Sequence, residues 1–150
     1  QLLVQSLKLS SLINCPMEDG VAEAAGISLN ELKIMMCLGG EGALAGHDIT
    51  DIMAISPMNV SRALAALLKR GWIEPAVDPV NRRRKPVQLS TAGWKAHHAM
   101  KPNVASVADY LLGTLTANER AVMVRASDKI ISRMADWFEQ YHAGTHLKHP

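Results

Sequence analysis

Apolar positions recur at helical intervals through most of this chain. Leu2, Leu3, Leu7, Leu9, Leu12 and Ile13 predict a first helix with a loose apolar face, interrupted at Pro16, which forbids an interior helical turn. Met17 to Ala25 reads as a second short piece closed by Gly26. Ser28-Leu29-Asn30-Glu31 is a capping-box pattern, and Leu29, Leu32, Ile34, Met35 and Met36 supply the buried side of the helix it opens, up to Gly39-Gly40. Gly46 to Ala54 predicts a shorter helix with Ile49, Ile52 and Met53 inward. Ser56 suits an N-cap and Pro57 the first helical position, where a missing N–H costs nothing. From there Val60, Leu64, Leu67 and Leu68 form an apolar stripe, while Met58, Asn59, Ser61, Arg62, Ala65 and Lys69 form a short, polar or basic outer face. Gly71 ends that helix as a C′ residue.

The period then changes. Trp72-Ile73 starts a strand, Val87-Gln88-Leu89 supplies its partner, and Asp78-Pro79 opens the turn of a hairpin whose tip reads Asn81-Arg82-Arg83-Arg84-Lys85. Ser90 can cap a long helix through Trp94, Met100, Val104, Val107, Leu111 and Leu112, kinked at Pro102. Gly113-Thr114 breaks it, and Thr116-Ala117-Asn118-Glu119 is a second capping box. Met123, Ala126, Ile130, Met134, Trp137, Phe138 and Tyr141 then trace one stripe of a final helix. So long an amphipathic helix cannot cover its own stripe, and with Leu2 to Ile13 equally apolar, a two-fold dimer built from both termini is the economical solution. The expected fold is mainly α with a small β-hairpin wing, a winged helix-turn-helix with N- and C-terminal dimerisation helices. Residues 1–27 form the N-terminal helical dimerisation segment, 28–93 the DNA-binding domain and 94–150 the C-terminal helical dimerisation segment.

Charge sharpens the picture. The 150 residues carry a net charge of only +2, but residues 1–58 hold two basic against seven acidic residues, and residues 59–95 hold eight basic against two acidic. A cation-rich hairpin tip must face solvent or an anion, and here it lies one hairpin away from a helix with a polar, basic outer face. That pairing points to nucleic acid. No apolar run approaches a membrane span, so no membrane is expected. Two cysteines, Cys15 and Cys37, are too few for a disulfide framework, which makes the cytoplasm the expected compartment. Gln1-Leu2-Leu3-Val4 lacks a signal-peptide pattern, and the absence of an initiator Met implies upstream residues. No paired carboxylates, nucleophile with base or glycine-rich phosphate loop appears at usable spacing, so neither an enzyme nor a cofactor is expected.

Ser56-Pro57-Met58-Asn59-Val60-Ser61-Arg62, then Leu67 to Glu74, then Asp78-Pro79-Val80-Asn81-Arg82-Arg83 followed by Val87 to Gly93 together resemble the MarR family of bacterial winged-helix regulators. The resemblance implies a homodimer, joined through terminal helices, that binds pseudo-palindromic operator DNA with Ser56 to Lys69 in the major groove and the wing in the minor groove. It further implies repression relieved by a small aromatic or phenolic acid, or a thioester, bound between the dimer helices and the reading head. Two positions depart from the family's pattern. Asn81 stands where Asp is common, so the Asp–Arg pair bracing the wing should be weakened or replaced by a neutral hydrogen bond, and Pro75 stands where an Arg is frequent.

On this reading Asn59, Ser61 and Arg62 read base edges, Pro57 and Met58 meet thymine methyl groups, and Ser56 caps the reader. Arg83 enters the minor groove beside Asn81, while Arg82, Arg84, Lys85, Lys69 and Arg70 hold phosphates. Ser11, Asn14, Met35, Met36, Trp94 and His98 are the effector-binding candidates, set against the plain alternative that Met and Trp at helical spacing are core. Two other sensing schemes stand beside these. Cys15 could act as a reactive thiol, with Cys37 read as inert core. His142, His146 and His149 have metal-ligand spacing, whereas the adjacent His97 and His98 should diverge; no metal is assigned. The rival from another class is a winged-helix module that docks partner proteins without touching DNA.

Overall fold

A computed structural model describes residues 1–145 of the chain, with side chains described to residue 140. His146 and His149 lie outside the described residues, as do the side chains of Tyr141 and His142. The chain divides into two compact units, residues 1–107 and residues from Ala108 onward. No helix among the described residues is long and apolar enough to cross a membrane.

The first unit begins with α1 (Leu2–Leu12), whose residues are all exposed. Pro16 does not interrupt the chain as expected. After a turn at Ile13 the helix restarts as α2 (Asn14–Met17), and Pro16 falls in its first turn, where the missing N–H is harmless. A five-residue π-helical stretch, Glu18–Ala22, follows and runs into α3 (Glu23–Ala25), which ends at left-handed Gly26. The wider turn drives Val21 and Ala22 fully into the core. In α4 (Leu29–Glu41) the Ser28 hydroxyl accepts from the Glu31 backbone N–H at 3.2 Å, the expected cap. The Glu31 carboxylate does not close the box onto the Ser28 backbone; it accepts from the Ser28 hydroxyl and faces Arg70. Gly39 and Gly40 lie within α4, which stops only at Gly42. A helical glycine costs about 1 kcal/mol, too little to end a helix held down by buried Leu38.

α5 (Gly46–Met53) and α6 (Pro57–Lys69) are joined by Ala54, Ile55 and Ser56. Ile55 is buried and anchors the turn, while Ala54 takes a left-handed conformation with φ 51°. β1 (Ile73–Pro75) pairs antiparallel with β2 (Val87–Leu89), with Ile73 opposite Leu89. Leu44 and Val87 exchange both backbone hydrogen bonds, at 3.0 and 2.8 Å, so β2 is flanked on both sides. α7 (Thr91–Leu112) starts from Ser90, whose hydroxyl accepts from Gly93 N–H and donates to the Gly71 carbonyl. Pro102 sits inside this helix. One core gathers Val21, Leu32, Met35, Leu38, Ile49, Val60, Leu67, Ile73, Leu89 and Met100, with Val104 and Val107 packed against it. Truncating any of the large buried members to Ala should cost about 2–5 kcal/mol.

The second unit holds the end of α7, the turn at Gly113-Thr114 and α8 (Ala117–Thr145). Here the capping box closes completely. Thr116 N–H donates to Glu119 at 2.7 Å and Glu119 N–H donates to the Thr116 hydroxyl at 3.3 Å, which holds the Glu119 carboxyl below its usual range. From Ala117 to residue 140 every side chain of α8 is exposed, including Met123, Ile130, Met134 and Trp137.

Candidate nucleic-acid interface

The local sequence builds α6 as a stiff, presented rod. Ser56 Oγ accepts from Asn59 N–H at 3.3 Å, Pro57 fills the first helical position, and Gly71 at φ 70° ends the helix with a conformation that side chains resist. Val60, Ala63 and Leu67 are buried, and Leu64 is half-buried against the core. Leu68, expected inward, is instead 44% exposed, and the buried stripe runs through Ala63. Ser56, Pro57, Met58, Asn59, Ser61, Arg62 and Lys69 are all exposed. Asn59 and Ser61 make no side-chain hydrogen bond among the described residues, and Arg62 reaches only the Met58 sulfur at 3.9 Å. That face offers unspent donors and acceptors.

The wing, residues 76–86, is closed at its base by Ala76 N–H donating to the Pro86 carbonyl at 2.9 Å. Asp78 Oδ1 accepts from the Val80 and Asn81 backbone N–H groups at 2.9 and 3.0 Å, and Asn81 Oδ1 accepts from Arg83 N–H at 3.0 Å. These two side-chain-capped turns carry Arg82, Arg83 and Lys85 into solvent. The backbone N–H groups, reinforced by Arg84, depress the Asp78 carboxyl.

Arg84 departs from its neighbours. Its guanidinium is bound to Asp48 at the start of α5 and lies 3.4 Å from Asp78 Oδ2. Asn81 bonds the Arg83 backbone N–H and, among the described residues, no arginine side chain, and the ion-paired brace is supplied instead by Arg84 with Asp48 and Asp78. Arg70, read as a phosphate contact, is likewise tied down. It donates to the Gly26 carbonyl at 2.5 Å, faces Glu31 at 3.5 Å and lies over the Trp72 ring. An open pocket of about 420 Å³ separates the wing from the start of α5, lined by His47, Asn81, Arg83, Arg84 and Lys85.

The effector candidates divide. Met35 is fully buried and belongs to the core; Met36, Trp94 and His98 are exposed on their helices, Ser11 is exposed and Asn14 half-buried. The Trp94 ring lies 5.5 Å from His97 and 5.8 Å from His98. The two histidines do not diverge as expected; their rings meet edge to face at 5.9 Å. His97, which was not among the effector candidates, keeps Nδ1 buried without a hydrogen-bond partner among the described residues, and burial, then Lys101 and His98, lower its pKa. No metal-holding group of His, Cys, Asp or Glu occurs among the described residues. Cys15 is exposed, and burial aided by Glu41 pushes the Cys37 thiol up, which suppresses its reactive thiolate.

Residues 27–85 match the model of the MarR family. Over that stretch, less than half of its length, the chain is similar to the MarR family. An HTH-type transcriptional regulator of Mycobacterium tuberculosis is 24% identical over 106 residues, covering 71% of this chain and 74% of the relative. The crystal structure of a MarR-family regulator from Silicibacter pomeroyi has a TM-score of 0.72 at 20% identity over 84% of each chain. BpsR of Bordetella bronchiseptica, whose DNA binding is regulated by 6-hydroxynicotinic acid, has a TM-score of 0.70 at 19% identity, over 87% of this chain and 98% of that chain. The chain thus shares their winged-helix fold, and α5, α6 and the wing as far as Lys85 fall within the matched residues.

Proposed function

We propose that this protein is a transcriptional regulator that represses by binding a pseudo-palindromic duplex as a homodimer, with α6 in the major groove and the wing in the minor groove, and releases it when a small aromatic acid binds. One observation carries the DNA contacts: the polar outer face of α6 and the wing cations Arg82, Arg83 and Lys85 are all solvent-exposed, and the wing backbone is pinned by Asp78 and Asn81. Arg83 enters the minor groove, Arg82, Lys85 and Lys69 meet phosphates, and Asn59, Ser61 and Arg62 read base edges. Residues 28–93 serve as the reading domain and the segments 1–27 and 94–150 as the dimerising helices, supported by the apolar exposure of α1 and α8.

The direct test is selection of duplexes from a random pool, followed by fluorescence anisotropy of the enriched duplex over a salt series. A duplex is enriched, and its affinity falls steeply with salt. Failure to enrich any duplex, or an affinity indifferent to salt, overturns the reading. Effector binding at Met36, Trp94 and His98, with Ser11 and Asn14 at the margin, is tested by thermal shift with small aromatic acids, 6-hydroxynicotinic acid first because of its action on BpsR. A ligand of the proposed kind raises the Tm and frees the duplex.

A further inference from the structure

Of the four wing cations at positions 82–85, Arg84 alone among the described residues has its charge engaged inside the chain. The geometry points to Arg84 as a positioning residue that fixes the wing against the first helix of the helix-turn-helix, and not as a phosphate contact. The inference rests on the DNA-binding reading above.

Its two partners belong to different elements, and each already has a structural duty. Asp48, in the first turn of α5, accepts from Ala45 N–H at 2.8 Å through the same oxygen that binds Arg84, while its other oxygen lies 3.2 Å from His47 Nε2. Asp78 uses one oxygen to organise the wing turn at Val80 and Asn81 and the other to meet Arg84. The guanidinium therefore ties the capped end of α5 to the turn that aims Arg82 and Arg83. The bond with Asp48, followed by its charge, favours the protonated guanidinium still further.

Charge bookkeeping argues against a phosphate role. One cation flanked by two carboxylates forms a cluster with a net charge of −1, so an approaching phosphate meets two like charges within a few ångströms. Arg82, Arg83 and Lys85 have no acidic side chain paired with them among the described residues. A fork-shaped donor suits this strut, because it can serve two carboxylates at once from separate nitrogens, as Nη1 and Nη2 do here.

The test is anisotropy of the selected duplex over a salt series with full-length wild type, Arg84→Ala, Asp78→Asn and Arg83→Ala, each first checked for a native circular dichroism spectrum and Tm. Arg84→Ala weakens binding about tenfold with the wild-type salt slope, while Arg83→Ala lowers the slope by about one. Asp78→Asn also weakens binding, although it removes a negative charge from the DNA-facing loop. Amide hydrogen exchange supplies a readout independent of DNA: Arg84→Ala speeds exchange at Val80, Asn81 and Arg83 and leaves α4 unchanged. If Arg84→Ala lowers the slope by about one, or if Asp78→Asn tightens binding by releasing Arg84 toward a phosphate, the positioning role is overturned while DNA binding stands. Wild type that enriches no duplex overturns the DNA reading itself, and the positioning role with it.

Discussion

Three consecutive arginines occupy positions 82 to 84, and geometry separates their duties. Arg82 and Arg83 project from capped turns, whereas Arg84 folds back onto two acids. Arg83→Lys should keep the wild-type salt slope but lose affinity for A·T-rich duplexes, since a narrow minor groove favours a flat guanidinium over a strongly hydrated ammonium. Equal affinity of the two proteins for A·T-rich and G·C-rich duplexes would remove Arg83 from the groove. The sequence displays the run of cations but not their partners, because Asp48 lies 36 residues from Arg84 and only the tertiary fold brings them together. His97 was missed for a similar reason: its burial depends on where α7 lies on α4. Its lowered pKa means that the unfolded chain binds the proton more readily. The stability it contributes is complete above about 6.5, the ordinary value, and is lost as pH falls from there through the lowered folded value. Denaturant melts of His97→Gln should therefore fall less than wild type below about pH 6.5.

At the level of elements, the legible parts are those written in local chemistry. Ser28, Ser56 and Thr116 each cap the helix expected of them, and Gly71 ends α6. What escapes is geometry between distant segments: the π-helical stretch that inserts Val21 and Ala22, the pairing of Leu44 with Val87, and the tight seat of α7. Gly93 illustrates that last case. A Cβ there would collide with the Trp72 carbonyl, because the first turn of α7 lies directly on the backbone entering β1. Gly93→Ala should cost about 2 kcal/mol or more in denaturant unfolding, through overpacking against backbone that cannot swing away. Ala54 offers the opposite case. Its left-handed conformation strains an L-residue in the turn between α5 and α6, so Ala54→Gly should gain about 0.5–1 kcal/mol in the same measurement.

For the whole molecule, the apolar residues exposed on α1 and α8 set the expected assembly. Leu2, Leu3, Leu7 and Leu12 are each more than half exposed, and Ile130 and Met134 stand about half exposed on α8. Carbon-rich surface on that scale is rarely left in water. Sedimentation should give a dimer for wild type and a monomer for Ile130→Glu at the same concentration; a monomeric wild type would remove the two-fold arrangement. The double employment of Asp48, which holds both the Ala45 amide and the Arg84 guanidinium, also bears on protein engineering. A wing cut from this chain and spliced into a similar protein would arrive without its anchor. Chimeras that exchange DNA preference should therefore carry residues 44–48 along with 76–86 as a single cassette.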